Sequence, residues 1–259
     1  MNLDRVTFTG ADESVRPKDL FAISAEWPFV EWGILFSLKH QGGSRYPSQD
    51  WLQDLILAAP VGLNLSAHLC GKWVRDLVID GTFTWNDTFT DPSVFDRVQL
   101  NFHAEPHQQL KGFERILNGR PIRKPFILQC DGVHDEFVRE YVTRSRIERN
   151  SGRVVPLGLG AVVPLFDASG GAGRVPGAWP QAWPGIYCGY AGGLGPENIV
   201  EQLERIAVAA AGEARIWIDM ERRVRSADDT TFDLDKVTTV LKLVTPFIGR
   251  PHGIDRVNA

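Results

Sequence analysis

The sequence predicts an α/β fold: a single (β/α)8 barrel with elaborated loops, spanning residues 1–259 as one domain. Three observations carry this expectation. Roughly eight short apolar runs alternate with helical segments along the chain, the order that builds a parallel sheet by successive crossovers. Most of these runs are apolar without strict polar alternation, as in strands covered on both faces. Polar and acidic residues gather where the runs end, and in a barrel those carboxyl ends converge on one rim. An open doubly wound sheet would favour a glycine-rich dinucleotide turn after its first strand. Here that position holds only Gly10, with no GxGxxG.

Taken in order, Arg5–Thr9 is β-branched and alternating and predicts the first strand, and Pro17 opens a helix to about Ala25. Val30–Ser37 is a second, buried strand, followed by the polar, glycine-rich loop Lys39–Ser48. Trp51, Leu52, Leu55 and Ile56 recur at helical spacing. Gly62–Ser66 reads as the third strand and Lys72–Ile79 as the third helix. Gly81–Pro92 is a connection without periodicity. Arg97–Phe102, a helix over Gln108–Leu117, Pro125–Cys130 and a charged helix over Val133–Ser145 follow. The sixth strand is the end of the apolar run, Ala161–Phe166. Ile186-Tyr187-Cys188 then gives a seventh strand, Ala191–Leu194 a tight turn, and Pro196 a helix start. Ala214–Asp219 is the eighth strand, and Asp233–Phe247 the closing helix.

Composition narrows the function. A net charge of −4 with no long basic block argues against nucleic acid or a membrane surface as partner. No window approaches a membrane-spanning run, and the N-terminus lacks the apolar stretch of a signal peptide. Three cysteines without paired spacing fit a reducing cytoplasm better than a disulfide framework. Cys130 and Cys188 read as buried apolar fillers. The eight tryptophans, concentrated partly in the additions, suit an oligomer interface.

The rim supplies the candidate site residues: Thr9 and Asp12 after the first strand, Lys39, His40 and Arg45 after the second, Asn64, Ser66 and His68 around the third, Gln99, Asn101 and His103 at the fourth, Gln129 and Asp131 at the fifth, Asp167 at the sixth, and Asp219, Glu221 and Arg222 at the eighth. Gly192-Gly193, between a strand and a helix, is a place where backbone N–H groups can meet an anion, or simply a sharp β-to-α connection, which is the commoner use of such a turn. His68, His103, Asp131 and His134 lack the short regular spacing of a metal motif, so no metal and no cofactor is expected. Lys39 lies in a polar loop, a poor place for a Schiff-base lysine, and neither a nucleophile elbow nor a P-loop is present.

Several segments, in chain order, resemble phosphoribosylanthranilate isomerase, a tryptophan-biosynthesis barrel. Thr7–Gly10 is similar to that family's opening "KICG", Ser44-Arg45-Tyr46 to its "SPRY", and Val98-Gln99-Leu100 to its "VQLHG". Leu165–Arg174 is similar to "LLDS…GGTG", Gly189–Val200 to "LAGGLTPENV", and Ile218-Asp219-Met220 with Phe232–Val237 to its closing strand and helix start. The sixth- and seventh-strand motifs are the specific ones. The resemblance implies an Amadori rearrangement of a phosphorylated sugar adduct, in which an acid opens the furanose ring and a base removes the neighbouring carbon's proton. It implies Asp167 as general acid, Arg45 as a contact near the anthranilate moiety, and Gly192 and Gly193 as half of a phosphate cradle. From the residues themselves, Asp167 can also be a cap for Ser169-Gly170-Gly171.

The departures are as specific. Thr9 stands where the family has its basic cysteine, and a hydroxyl is no base unless activated. Asp12 is a nearby substitute. After the eighth strand the family's small "SSGVE" is replaced by Glu221-Arg222-Arg223-Val224-Arg225; Glu221 would repel a phosphate, while Arg222 or Arg223 could hold one through a guanidinium fork. Extra length falls at 81–92, 144–159 and 174–183. Two readings follow: an isomerase-like enzyme acting on a small anionic substrate, a sugar phosphate, or a barrel that keeps the fold and serves as a small-molecule-binding or regulatory protein.

Overall fold

The computed structural model describes residues 1–76, 94–101, 124–150, 162–210 and 214–249, and the side chains among these except 144–150. Eight strands close into a barrel in sequence order, each parallel to its neighbours. They are β1 (Asn2–Thr9), β2 (Val30–Phe36), β3 (Asn64–Cys70), β4 (Arg97–Asn101), β5 (Phe126–Cys130), β6 (Val162–Phe166), β7 (Cys188–Ala191) and β8 (Arg215–Met220). The described helices are α1 (Pro17–Glu26), α2 (Gln49–Ala58), α3 (Lys72–Arg75), α4 (Asp135–Asn150), α5 (Ile199–Ala209) and α6 (Leu234–Val244). The expected helix over 108–117 and the connection over 81–92 lie outside the described residues. None of the described helices is long and apolar enough to cross a membrane.

Local sequence explains the elements that frame the site. All seven positions of β2 are buried, which suits its apolar run interrupted only by Glu31 and Gly33. α5 buries Ile199, Leu203 and Ile206, spaced to form one stripe facing the barrel. α6 starts on Asp233, whose carboxylate accepts from Asp235 N and Lys236 N, each at 3.1 Å, satisfying two otherwise unpaired donors.

Two strands differ from the sequence expectation. β3 runs to Cys70 rather than ending at Ser66. Ser66 and His68 are buried on its inner face, so their polarity marks a polar barrel interior and not a strand end. β7 begins at Cys188, where the sequence suggested a strand ending, and includes Gly189. A Cβ on Gly189 would lie 2.3 Å from the Trp217 ring, so the strand passes there only because the residue has no side chain. The following helix starts at Ile199, not Pro196, with Asn198 at its N-cap. Asn198 accepts from Gly195 N at 3.0 Å and donates to Gly193 O at 2.9 Å, holding the turn as a separate unit before the helix.

The inner wall is divided. Ile127, Val163, Leu165 and Trp217 form an apolar cluster on the β5–β6 and β8 side. Opposite lies a charged one. Glu31, with no exposed surface, accepts from Arg5 Nη1 at 2.8 Å, Thr7 Oγ1 at 2.9 Å, Arg97 Nε at 3.0 Å and also Arg97 Nη2. Burial pushes its carboxyl up, but the Arg97 and Arg5 guanidiniums outweigh this and hold it at about 2. Arg97 also lies over the Trp217 ring at 4.5 Å, joining the two halves of the wall.

Candidate active site

A cavity of about 480 Å³ opens at the carboxyl ends of the strands. It gathers Thr9 from β1, Arg45 and Tyr46 from the loop after β2, His68 from β3, Gln99 from β4 and Gln129 from β5. Asp167 follows β6, Gly192 and Gly193 follow β7, and Asp219, Glu221, Arg222 and Arg223 come from β8 and the turn after it. Parallel closure alone brings these dispersed positions to one rim.

At the floor, Thr9 Oγ1 donates to Asp219 Oδ1 at 2.8 Å. Burial pushes the Asp219 carboxyl up to about 8, aided by Glu221 and Glu31; the Thr9 bond and Arg97 act the other way. Asp219 therefore carries a proton at neutral pH. Gly33 makes this floor narrow: a Cβ there would stand 2.2 Å from Thr9 Oγ1 and 2.9 Å from His68 Nε2. His68 is held neutral, burial pushing its pKa down to about 3 with Arg97 reinforcing the shift and Glu31 opposing it.

At the mouth, Asp167 anchors its own loop. Its Oδ1 accepts from Ser169 Oγ at 2.7 Å and Ser169 N at 3.2 Å, and its Oδ2 from Gly171 N at 2.8 Å. The cap that the residues allowed is thus present, on a carboxylate that also lines the cavity. Gly192 and Gly193 have φ of +122° and +62°. A Cβ on either would come within 2.8 Å of Arg174 O or 2.6 Å of Val175 N, so this turn needs glycine to let the loop after β6 pack on it. Arg222 lays its stem beside Gly173, where a Cβ would meet its Cδ at 2.9 Å. Arg223 sits 3.8 Å from Glu197, both largely exposed.

Arg45 lines the cavity but is committed to the protein: its guanidinium donates to both Glu221 and Asp229. Arg45 and Asp229, joined to each other, are also the two described non-glycine residues with positive φ, at 65° and 60°. Burial pushes the Glu221 carboxyl up, opposed mainly by Arg45. Glu221 thus faces an internal cation.

Several expected rim residues do not line the cavity: Lys39, His40, Asn64 and Ser66, and also Asp12 and Asp131. Asp12 lies outside the cavity and cannot substitute for a base there: its carboxylate accepts from Ser14 Oγ and Arg45 N, each at 2.5 Å, Arg225 Nη2 at 2.8 Å and Ser14 N at 3.0 Å. Although burial raises the Asp12 pKa, these bonds bring it below the ordinary value. Asp131 also lies outside, accepting from His134 Nδ1 at 2.9 Å and from the amides of Val133 and His134 ahead of α4. Its pairing with His134 fixes a turn. Among the described residues, no group of three potential ligands could hold a metal ion; His103 is outside them.

Solved structures of phosphoribosyl anthranilate isomerases superpose on nearly the whole chain. The Thermus thermophilus enzyme covers 93% of this chain and 98% of its own at 17% identity, with a TM-score of 0.52. A complex of such an isomerase with reduced 1-(o-carboxyphenylamino)-1-deoxyribulose 5-phosphate covers 95% and 100% at 16% identity, with a TM-score of 0.53. The Thermotoga maritima enzyme covers 95% and 100% at 12% identity, with a TM-score of 0.50. This chain has the phosphoribosyl anthranilate isomerase fold. No family model matches the sequence, and no curated protein gives a significant match.

On this isomerase fold, Thr9, Arg45, Gln99, Gln129, Asp167, Gly192, Gly193, Asp219 and Arg222 share one cavity. Cys70 and Arg225 are not marked as site residues by the sequence, Tyr46 is marked only as part of the Ser44-Arg45-Tyr46 motif, and His68 only as a rim residue and one of four possible metal ligands without motif spacing. The spacing of Ser66 and His68, two apart in an apolar run, was the available signal for an inner-wall histidine. Arg225 offered none. Its side chain is wholly buried, donating to Gly10 O at 2.6 Å, Asp12 at 2.8 Å and Ser44 Oγ at 2.9 Å, and so ties together the loops after β1, β2 and β8.

Proposed function

We propose that this barrel is an isomerase acting by general acid–base chemistry on a small anionic sugar adduct at the mouth of the barrel. The observation that supports it is the buried Thr9–Asp219 pair at the floor of a cavity that Asp167 also lines. An Amadori rearrangement needs an acid to protonate the ring oxygen as the C–O bond breaks, and a base to take the proton from the adjacent carbon. With threonine in the first-strand position, Asp219 takes the base's place. A carboxylate that regains its proton near pH 8 is a far better acceptor than an ordinary one. Thr9 orients it through the 2.8 Å bond. Asp167, which lines the same cavity, is the general acid, and the Gly192-Gly193 turn and Arg222 hold the anionic end. The phosphorylated ligand of the related isomerase complex supports a sugar phosphate as the substrate class.

One observation favours the second reading, a binding barrel without the reaction: Arg45 is taken up by Glu221 and Asp229, and Asp167 by its own loop. Complementation of a strain lacking phosphoribosylanthranilate isomerase separates the two. Growth that depends on Asp219 supports the isomerase. No growth, together with a phosphate-induced rise in melting temperature, supports the binding protein. Absence of any shift with inorganic phosphate or sugar phosphates refutes the anion site.

A further inference from the structure

The inner wall of the cavity holds two buried polar atoms that the fold leaves open. His68 is 1% exposed and Gln99 4%, and both line the cavity. His68 Nε2 and Gln99 Oε1 have no hydrogen-bond partner among the described residues. The two residues are register partners on β3 and β4, so their side chains stand next to each other on the wall. Gln99 is fixed in place, since its Nε2 donates to Asn101 Oδ1 at 3.0 Å, which leaves Oε1 as the free end. An unpaired buried acceptor is costly to maintain, and a ligand group that supplies the missing donor recovers that cost.

The chemistry of the ligand follows from what surrounds these atoms. Gln99 Oε1 only accepts, so a carboxylate or phosphate oxygen cannot satisfy it. An ammonium group can donate to both atoms, but it cannot accept the proton that His68 Nε2 carries in the other tautomer of the neutral ring. A hydroxyl donates to Gln99 Oε1, and it pairs with His68 Nε2 in either tautomer of the neutral ring. Two adjacent open atoms call for two adjacent hydroxyls. We infer that His68 and Gln99 form a specificity subsite for an uncharged vicinal diol, which seats the sugar's hydroxyls against the β3–β4 wall while its anionic group stays at the rim. This rests on the proposed anionic sugar substrate and adds two residues of this chain that select it. It also accounts for a polar β3 and β4 at this depth, where a barrel interior is ordinarily filled by branched apolar side chains.

The test is isothermal titration of the full-length protein with D-ribose 5-phosphate, 2-deoxy-D-ribose 5-phosphate and inorganic phosphate. The deoxy sugar keeps the phosphate and lacks one hydroxyl of the diol. The wild type is expected to prefer ribose 5-phosphate by about tenfold or more, the scale of one unsatisfied buried acceptor. In Gln99→Met and in His68→Leu, each measured separately, the preference falls to within about threefold while binding of the deoxy sugar is kept. Equal affinities in the wild type, or an unchanged preference in both variants that fold, overturn the inference. If neither phosphosugar nor phosphate binds, the anion reading has failed. The diol is then tested with methyl β-D-ribofuranoside and its 2-deoxy counterpart by ligand-observed NMR. A signal from the diol alone supports the subsite, and equal or absent signals refute it.

Discussion

Replacing Asp219 by asparagine should make this protein more stable at neutral pH, although it alters a buried carboxyl of the cavity. In the folded chain Asp219 keeps its proton up to about pH 8, against an ordinary value of 3.8. Between these limits the unfolded chain has released a proton that the folded chain still holds. Stability is therefore full below about pH 4 and is lost as pH rises toward 8, by about 1.4 kcal/mol per pH unit. At pH 7 the accumulated penalty is on the order of 4 kcal/mol. Asparagine keeps an Oδ1 to accept from Thr9 and does not titrate, so the variant lacks this slope. The assay is urea unfolding of both proteins at pH 5, 6 and 7. All other titrating groups are shared, so the difference in unfolding free energy isolates Asp219. It should move in favour of Asp219→Asn by about 2.7 kcal/mol between pH 5 and pH 7. A difference that stays constant across this range would show that Asp219 is already ionised at pH 5, and would remove the argument for it as a proton-transfer group near neutrality.

Other consequences are open to direct measurement. If Asp219 is the base, kcat/KM should rise with pH and level off above about 8, and Asp219→Asn should lower it by at least about 100-fold; a flat profile contradicts the role. Gly33→Ala would place a methyl group 2.2 Å from Thr9 Oγ1, and should cost about 1–3 kcal/mol, lowering the melting temperature by several degrees. Arg225→Met would leave the buried Asp12 carboxylate without its cation and should cost about 3–5 kcal/mol in urea unfolding; the double variant Arg225→Met, Asp12→Asn should recover part of that loss. Gly193→Ala would bring a Cβ to 2.6 Å from Val175 N at a positive φ, and should both destabilise the protein and abolish any phosphate-induced thermal shift.

The fold was legible in the residues because a parallel barrel repeats one pattern. Buried, largely apolar runs such as β2 and β6, and amphipathic stripes such as those of α5 and α6, reveal themselves by local sequence pattern. Where that periodicity met a polar inner wall the local reading slipped: Ser66 marked a strand end in sequence, and His68 lies within the same strand. The site was legible in outline for a similar reason. Rim positions are strand ends, so Thr9, Gln99, Gln129, Asp167 and Asp219 could be named one strand at a time.

What a residue does at that rim depends on partners distant in the chain, and no local pattern encodes them. Asp12 and Asp167 look alike in sequence, each just beyond a strand and two residues before a serine. Arg225, more than two hundred residues away, takes the first into a buried ion pair outside the cavity, while the second lines it. Thr9 and Asp219 are separated by 210 positions and meet at 2.8 Å because β1 and β8 are neighbours only after the barrel closes. The sequence by itself determined the α/β order, the amphipathic faces and the set of polar strand ends. Tertiary structure alone decided which of those ends are desolvated, charged or paired, because burial and electrostatics are set by neighbours in space and not by neighbours along the chain.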